Sequence, residues 1–167
     1  MRKLLALGLA VFAIIAPLPT ATAATPVIRL TDIPHRNFDG TFRDNQLADL
    51  LAINGRLGKP LYAAKTSATW VIDAHLIDEV IDMADGYTFD GEEDAYGSSI
   101  AQLWLQQLRI VTQASPIVAL PYGNPDTSLA RRLSASELKY YFAVGEAKRT
   151  EFFGRPVISQ NGWGTGK

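Results

Sequence analysis

The chain has 167 residues, 47% of them apolar and 20% charged, with two histidines and no cysteine. That composition belongs to a folded domain, not a disordered one. The missing cysteines exclude a disulfide scaffold, a thiol nucleophile and any Cys-ligated zinc or iron–sulfur site. A formal net charge of −1 carries no electrostatic footprint for nucleic acid.

Arg2 and Lys3 precede an uncharged apolar run from Leu4 to Ala16, followed by Pro17-Leu-Pro-Thr20 and Ala21-Thr-Ala23. These are the basic, apolar and small-residue parts of a secretory signal over residues 1–23, with cleavage expected near Ala23. The run spans only about two thirds of a ~30 Å hydrocarbon core, too short for a resident membrane helix. Residues 24–167 are then expected as one α/β domain without a transmembrane helix, secreted or held in the cell envelope. An exported protein without cysteine fits a bacterial envelope.

Val27-Ile-Arg-Leu-Thr-Asp-Ile33 alternates as a strand does, and Pro34 ends it. Asp44 is placed to cap a helix carrying Leu47, Leu50 and Leu51, closed by Gly55. Thr69-Trp-Val-Ile-Asp73 reads as a short buried strand, leading into a helix with Leu76, Ile77, Val80, Ile81 and Ala84 on one face. Between Asp73 and Asp94 lie nine of the 17 acids, and Gly86 to Gly97 is expected as a solvated loop. Ser99 then opens a helix with Ile100, Leu103, Trp104, Leu108 and Val111 along its core stripe.

Ile117-Val-Ala-Leu120 is a continuous apolar strand. In the turn that follows, Asn124 is placed to cap a short helix with Pro125 at its first position. Ser134-Ala-Ser-Glu137 has the capping-box pattern and opens a helix with Leu138, Tyr141 and Phe142. Gly154-Arg-Pro-Val-Ile158 approaches another strand, and a glycine-rich loop from Gly162 to Lys167 follows it. Apolar strands alternating with amphipathic helices call for an α/β fold, a parallel sheet with flanking helices. The closing loop favours the first half of a β/α barrel over a small open sheet. A sheet uncovered beyond that loop is expected to expose apolar surface and to cost stability.

In parallel sheets functional groups gather where strands end at their C-termini. Those ends carry Asp32 and His35, then Asp73 and His75, then Tyr122, Asn124 and Asp126. Asp73 and Asp126 can be read as a pair of catalytic carboxylates flanking a glycosidic bond. They can equally be helix caps, the commoner use of Asp at a strand-to-helix turn. Asp32, His35, His75, Tyr122 and Asn124 are the candidate ligand contacts. His35, His75 and one Asp would suit zinc in number, but their spacing is not that of a ligand set, so no metal is expected. Nor is any cofactor. There is no Gly-x-Ser-x-Gly elbow, the Asp82–Asp94 run is not a calcium loop, and Asn161 stands where a phosphate loop needs its first glycine. Trp70 and Trp104 belong to apolar patterns, whereas Tyr87, Phe89, Tyr96 and Tyr122 lie in loops and are candidates for stacking on a ligand.

Thr69-Trp-Val-Ile-Asp73, Val80-Ile-Asp-Met-Ala-Asp-Gly-Tyr87 and Trp104-Leu105, with Val118-Ala-Leu-Pro-Tyr122, Pro125-Asp126 and Gly154-Arg-Pro-Val157, occur in an order that resembles an uncharacterised family of actinobacterial envelope proteins. Those are large exported proteins, anchored near the C-terminus and often encoded close to the lipid II flippase. The resemblance runs from about Asp32 to Trp163 and includes Gly55-Arg-Leu57. It implies an envelope location and a β/α-barrel-like domain similar to carbohydrate-active enzymes, but it brings no activity with it. Asn124 stands where such proteins usually carry Asp, and Ala74-His75 replaces a Pro-containing pair. Without the large downstream region and the anchor, the chain reads as a short or truncated member. The leading expectation is a noncatalytic module that binds a cell-wall glycan or an envelope protein. The alternative is a glycan-directed hydrolase using Asp73 and Asp126.

Overall fold

The computed structural model describes residues 25–63 and 68–159. The expected signal at residues 1–23 and the loop from Gly162 to Lys167 lie outside them. Four strands, β1 (Val27–Leu30), β2 (Thr69–Ile72), β5 (Ile117–Ala119) and β6 (Ile158–Ser159), form one sheet in the order β1-β2-β5-β6. Every pairing in it is parallel. Each new strand is therefore added on the same side of the last. With right-handed crossovers, that progression leaves the connecting helices on one face of the sheet. The result is an α/β fold consistent with part of a β/α barrel.

Between the strands run α1 (Gln46–Leu51) and α2 (Gly58–Ala63), then α3 (Ala74–Ala84) and α4 (Ala95–Thr112), then α5 (Thr127–Leu133) and α6 (Ala135–Phe153). Residue alternation along the strands sorts the core into two faces. Leu30, Trp70, Ile72 and Ile117 join Leu47, Leu51, Val80, Met83, Trp104 and Leu108 in the larger cluster beneath the helices. Val71, Val118 and Leu120 form a second cluster on the opposite side. All three are buried, so the apolar surface expected to be exposed is not seen at these strands. Trp104 also donates its indole N–H to the Leu57 carbonyl at 3.0 Å, which ties α4 to the turn before α2.

Several local expectations are corrected. Gly86–Gly97 is not all loop: β3 (Thr88–Phe89) and β4 (Glu92–Glu93) pair antiparallel. Asp90 and Gly91 both take positive φ, 52° and 81°, as a two-residue hairpin turn requires. The long helix opens at Ala95, capped by Asp94, whose side chain accepts the Gly97 N–H; Ser99 lies within it. Leu103, expected in the core, is 59% exposed. The buried arc is Ser98, Ala101, Trp104 and Leu108, and Leu103 lies about 100° round the helix from Trp104.

The helix α2 lies in a stretch between Gly55 and Thr69 to which the sequence pattern assigns no element. Pro60 stands in its first turn, where a missing N–H leaves no bond unmade. Asp126, not Asn124, caps α5. Ser134 occupies the cap position of α6 without a side-chain cap bond, so the expected capping box is not formed. Tyr87, expected in a ligand-facing loop, is 5% exposed and packs on Phe42 with ring centroids 4.7 Å apart.

The helix α6 reaches the sheet through Gly145. A side-chain carbon there would lie 2.1 Å from the Leu120 carbonyl oxygen, so only glycine permits this approach. At the other end of α6, Phe152 packs under the Arg109 guanidinium at 4.4 Å. Arg155 donates to the carbonyls of Thr112 and Ser115 at 2.6 and 2.7 Å, fixing the lead into β6. Among the described residues no helix is long and apolar enough to cross a membrane.

Candidate functional site

The segments that follow β1, β2 and β5 meet at one end of the sheet and enclose a cleft of about 510 Å³. Phe38 and Arg43 of the β1–α1 loop form one wall; His75, Asp78 and Glu79 of α3, with Tyr122 after β5, form the other. A second cleft of about 620 Å³ shares Arg36, Asp78 and Tyr122 with the first and continues toward Lys148 and Phe152. Each has the volume of an ordinary small-molecule or oligomer site.

Three of the residues expected from sequence come together here. Asp73 begins α3 as its N-cap, its Oδ1 accepting the backbone N–H of His75 at 3.1 Å and of Gly123 at 3.1 Å. The second bond carries the end of β2 across to the loop after β5. His75 and Tyr122 meet edge to face, with ring centroids 5.4 Å apart. The Tyr122 hydroxyl donates to Asp78 at 3.0 Å, and Lys148 approaches the same carboxylate at 3.3 Å. Burial, then the Asp78 charge and hydrogen bond, push the Tyr122 phenol up to about 12. It is a neutral donor at any physiological pH.

Burial raises the pKa of Asp73, while the His75 N–H and the nearby charge of Arg149 oppose the rise. Arg149 is fully buried. Its guanidinium nitrogens have no hydrogen-bond partner, and desolvation brings its pKa down to about 10 against the attraction of Asp73 and Asp78.

The remaining candidates are placed elsewhere. His35 is buried beneath the β1–α1 loop, with Nδ1 2.8 Å from Asp44 Oδ1 and Nε2 3.7 Å from Asp32 Oδ2. Asp32 in turn is held by Arg56 at 2.6 Å. Asp44, expected as a helix cap, stands one residue before the actual N-cap, Asn45, which makes no side-chain cap bond; the Asp44 carboxylate accepts the Gln46 N–H at 3.1 Å. Its pKa is lowered because that bond and the one with His35 outweigh its burial. Asn124 takes positive φ, 43°, and accepts from Arg29 at 3.0 Å. Asp126 accepts the N–H groups of Ser128 and Leu129, both at 2.9 Å. Asp73 and Asp126 are thus each committed to the start of their own helix. Among the described residues no three acidic or histidine side chains are grouped to hold a metal ion.

Phe38, Asp78, Glu79 and Arg149 were not singled out by sequence. Glu79 did leave a signal: it stands three residues after Leu76 and four before Met83, on the buried arc of α3. An acid on a core-facing arc marks a group held there by specific donors. Compared with protein-family models and with curated protein sequences, the chain matches none.

Proposed function

We propose that this protein is an exported cell-envelope module that binds an envelope glycan in the cleft after β1, β2 and β5, without cleaving it. The observation that carries this reading is Phe38. Its ring is fully exposed on the lip of a cleft whose other wall holds Tyr122, His75 and Asp78. An uncovered aromatic forgoes about 1.5–3 kcal/mol of burial, and a ring at the lip of a polar cleft is placed to stack on a ligand. Sugar rings present an apolar C–H face to an aromatic and hydroxyls to carboxylates and guanidinium groups. Arg43, Asp78 and the Tyr122 phenol supply both kinds of polar partner. The basic, apolar and small-residue succession before Ala24 supports export, and the resemblance of the ordered motifs to actinobacterial envelope proteins supports the compartment.

The hydrolytic reading has one observation in its favour, the raised pKa of Asp73, a property a general acid needs. Glycoside hydrolysis asks for a second carboxylate across the bond. Asp126 is spent on capping α5, so binding without cleavage is the better account. Co-sedimentation with purified peptidoglycan sacculi, with reducing ends assayed in the same tubes, tests it. The protein is expected in the pellet with no reducing ends released. Protein left in the supernatant overturns the binding reading, and released reducing ends restore the hydrolase.

A further inference from the structure

Glu79 has a nearly buried side chain, and its one ion-pair neighbour among the described residues is His75. Its Oε1 instead accepts two successive backbone N–H groups, those of His35 and Arg36, both at 2.8 Å. Converging successive amides make a concave site for one acceptor oxygen. These amides belong to the β1–α1 loop, more than forty positions earlier in the chain.

That loop has little apolar anchorage before Phe42. Ile33 is 66% exposed and Phe38 fully so. Its other holds are polar: His35 against Asp44 and Asp32, Arg36 paired with Asp82, and a tip closed on itself by the Asn37 N–H to the Thr41 carbonyl at 2.8 Å. The second oxygen of Glu79 has no hydrogen-bond partner. His75 Nδ1 stands 3.8 Å from it, one turn back on the same helix.

We propose that Glu79 is the positioning residue of the cleft: it pins the loop bearing Phe38 and Arg43 opposite α3. The ligand half of this inference rests on the glycan reading; the loop half stands without any ligand. Glu79 lines the cleft wall, and its proposed role is exerted through the loop it holds.

Amide hydrogen exchange at His35 and Arg36 in the wild type, Glu79→Gln, Glu79→Asp and Glu79→Ala tests it. The Gln amide oxygen still accepts both N–H groups, so Glu79→Gln should keep exchange within about threefold of wild type. Glu79→Ala should exchange these two amides about 100-fold faster, by a local opening that is insensitive to low urea. Glu79→Asp, one methylene shorter, should fall between them, and it carries the test if the alanine variant does not fold. Soluble peptidoglycan fragments should bind Glu79→Gln nearly as well as wild type and Glu79→Ala about tenfold more weakly. Wild-type exchange in the alanine and aspartate variants overturns the proposal. So does acceleration only in step with the core amides of β2 and α4, which a merely structural role would give. If the wild type binds no fragment, the glycan reading fails by itself and the exchange data still decide the role of Glu79.

Discussion

The carboxylate of Asp73 accepts the backbone N–H of Gly123, 50 positions along the chain, at 3.1 Å. The same oxygen caps α3 through His75, so one buried side chain joins β2, α3 and the loop after β5. Asp73→Ala loses both of these hydrogen bonds and the charge facing Arg149. Its expected cost is about 3–5 kcal/mol, the range for breaking a buried charge pair, measured by urea unfolding. Asp73→Asn keeps an acceptor oxygen and removes a charge whose burial costs more than Arg149 returns, so its stability at pH 7 should equal or exceed that of the wild type. Adding Arg149→Met to Asp73→Ala should recover at least half of the alanine loss, because the uncompensated guanidinium goes with it. Strict additivity of the two substitutions would show that the residues are not coupled.

Asp73 also sets a sign for pH. Its folded pKa is raised above the ordinary 3.8, chiefly by burial. The folded state then holds the proton more tightly than the unfolded chain, so stability falls as pH rises from about 3.8 through the folded value. Asp73→Asn should remove that decline. A melting-temperature profile from pH 3.5 to 7 that is equally steep in the variant would assign the decline to other groups.

Asp94 acts in the opposite direction. The Gly97 N–H, and after it the Asn45 amide and the Tyr87 hydroxyl, hold its pKa below 3.8. Its contribution is present above that value and is lost as pH falls through the lowered one. Solvent around Asp94 screens the effect, so Asp94→Asn should cost about 1 kcal/mol at pH 7. The gap to wild type should close as pH falls through the lowered pKa and the wild-type carboxylate loses its charge. A gap that persists there would point to lost packing.

Asp126 offers a contrast within the same candidate set. It lies at the start of α5, a helix with no buried residue, so Asp126→Ala should cost about 0.5–2 kcal/mol through the lost cap. Binding to sacculi should be unchanged. Loss of binding in a folded Asp126→Ala protein would extend the site to α5.

The fold was legible where apolar runs are continuous. Trp70, Val71 and Ile72, and Ile117 with Val118, have no place but a buried parallel sheet, and Asp73 had the spacing of a cap. Sequence reading failed where a local signal was outweighed by its surroundings. Asp90-Gly91 is a hairpin turn, but it sits among acids that read as solvated loop. Asn124 was taken as the cap because Pro125 follows it, yet Asp126 reaches the free N–H groups of Ser128 and Leu129 while Asn124 turns to Arg29. Leu103 reads as core because it is apolar and three residues after Ile100, but it lies about 100° round the helix from Trp104 and off the buried arc. Of the site, the strand ends were found and the partners across them were not. Glu79 meets the β1–α1 loop, and Tyr122 meets Asp78, by tertiary approach that no spacing encodes.

Phe38 decides the central claim, because it is fully exposed and its removal costs the fold nothing. Titration calorimetry with soluble peptidoglycan fragments, on wild type and Phe38→Ala, measures its contribution to binding. Saturable wild-type binding is expected, weakened about tenfold in Phe38→Ala for the loss of one stacking contact, with the melting temperature unchanged. No wild-type binding, or equal affinity in the two proteins, would contradict a glycan site at this cleft.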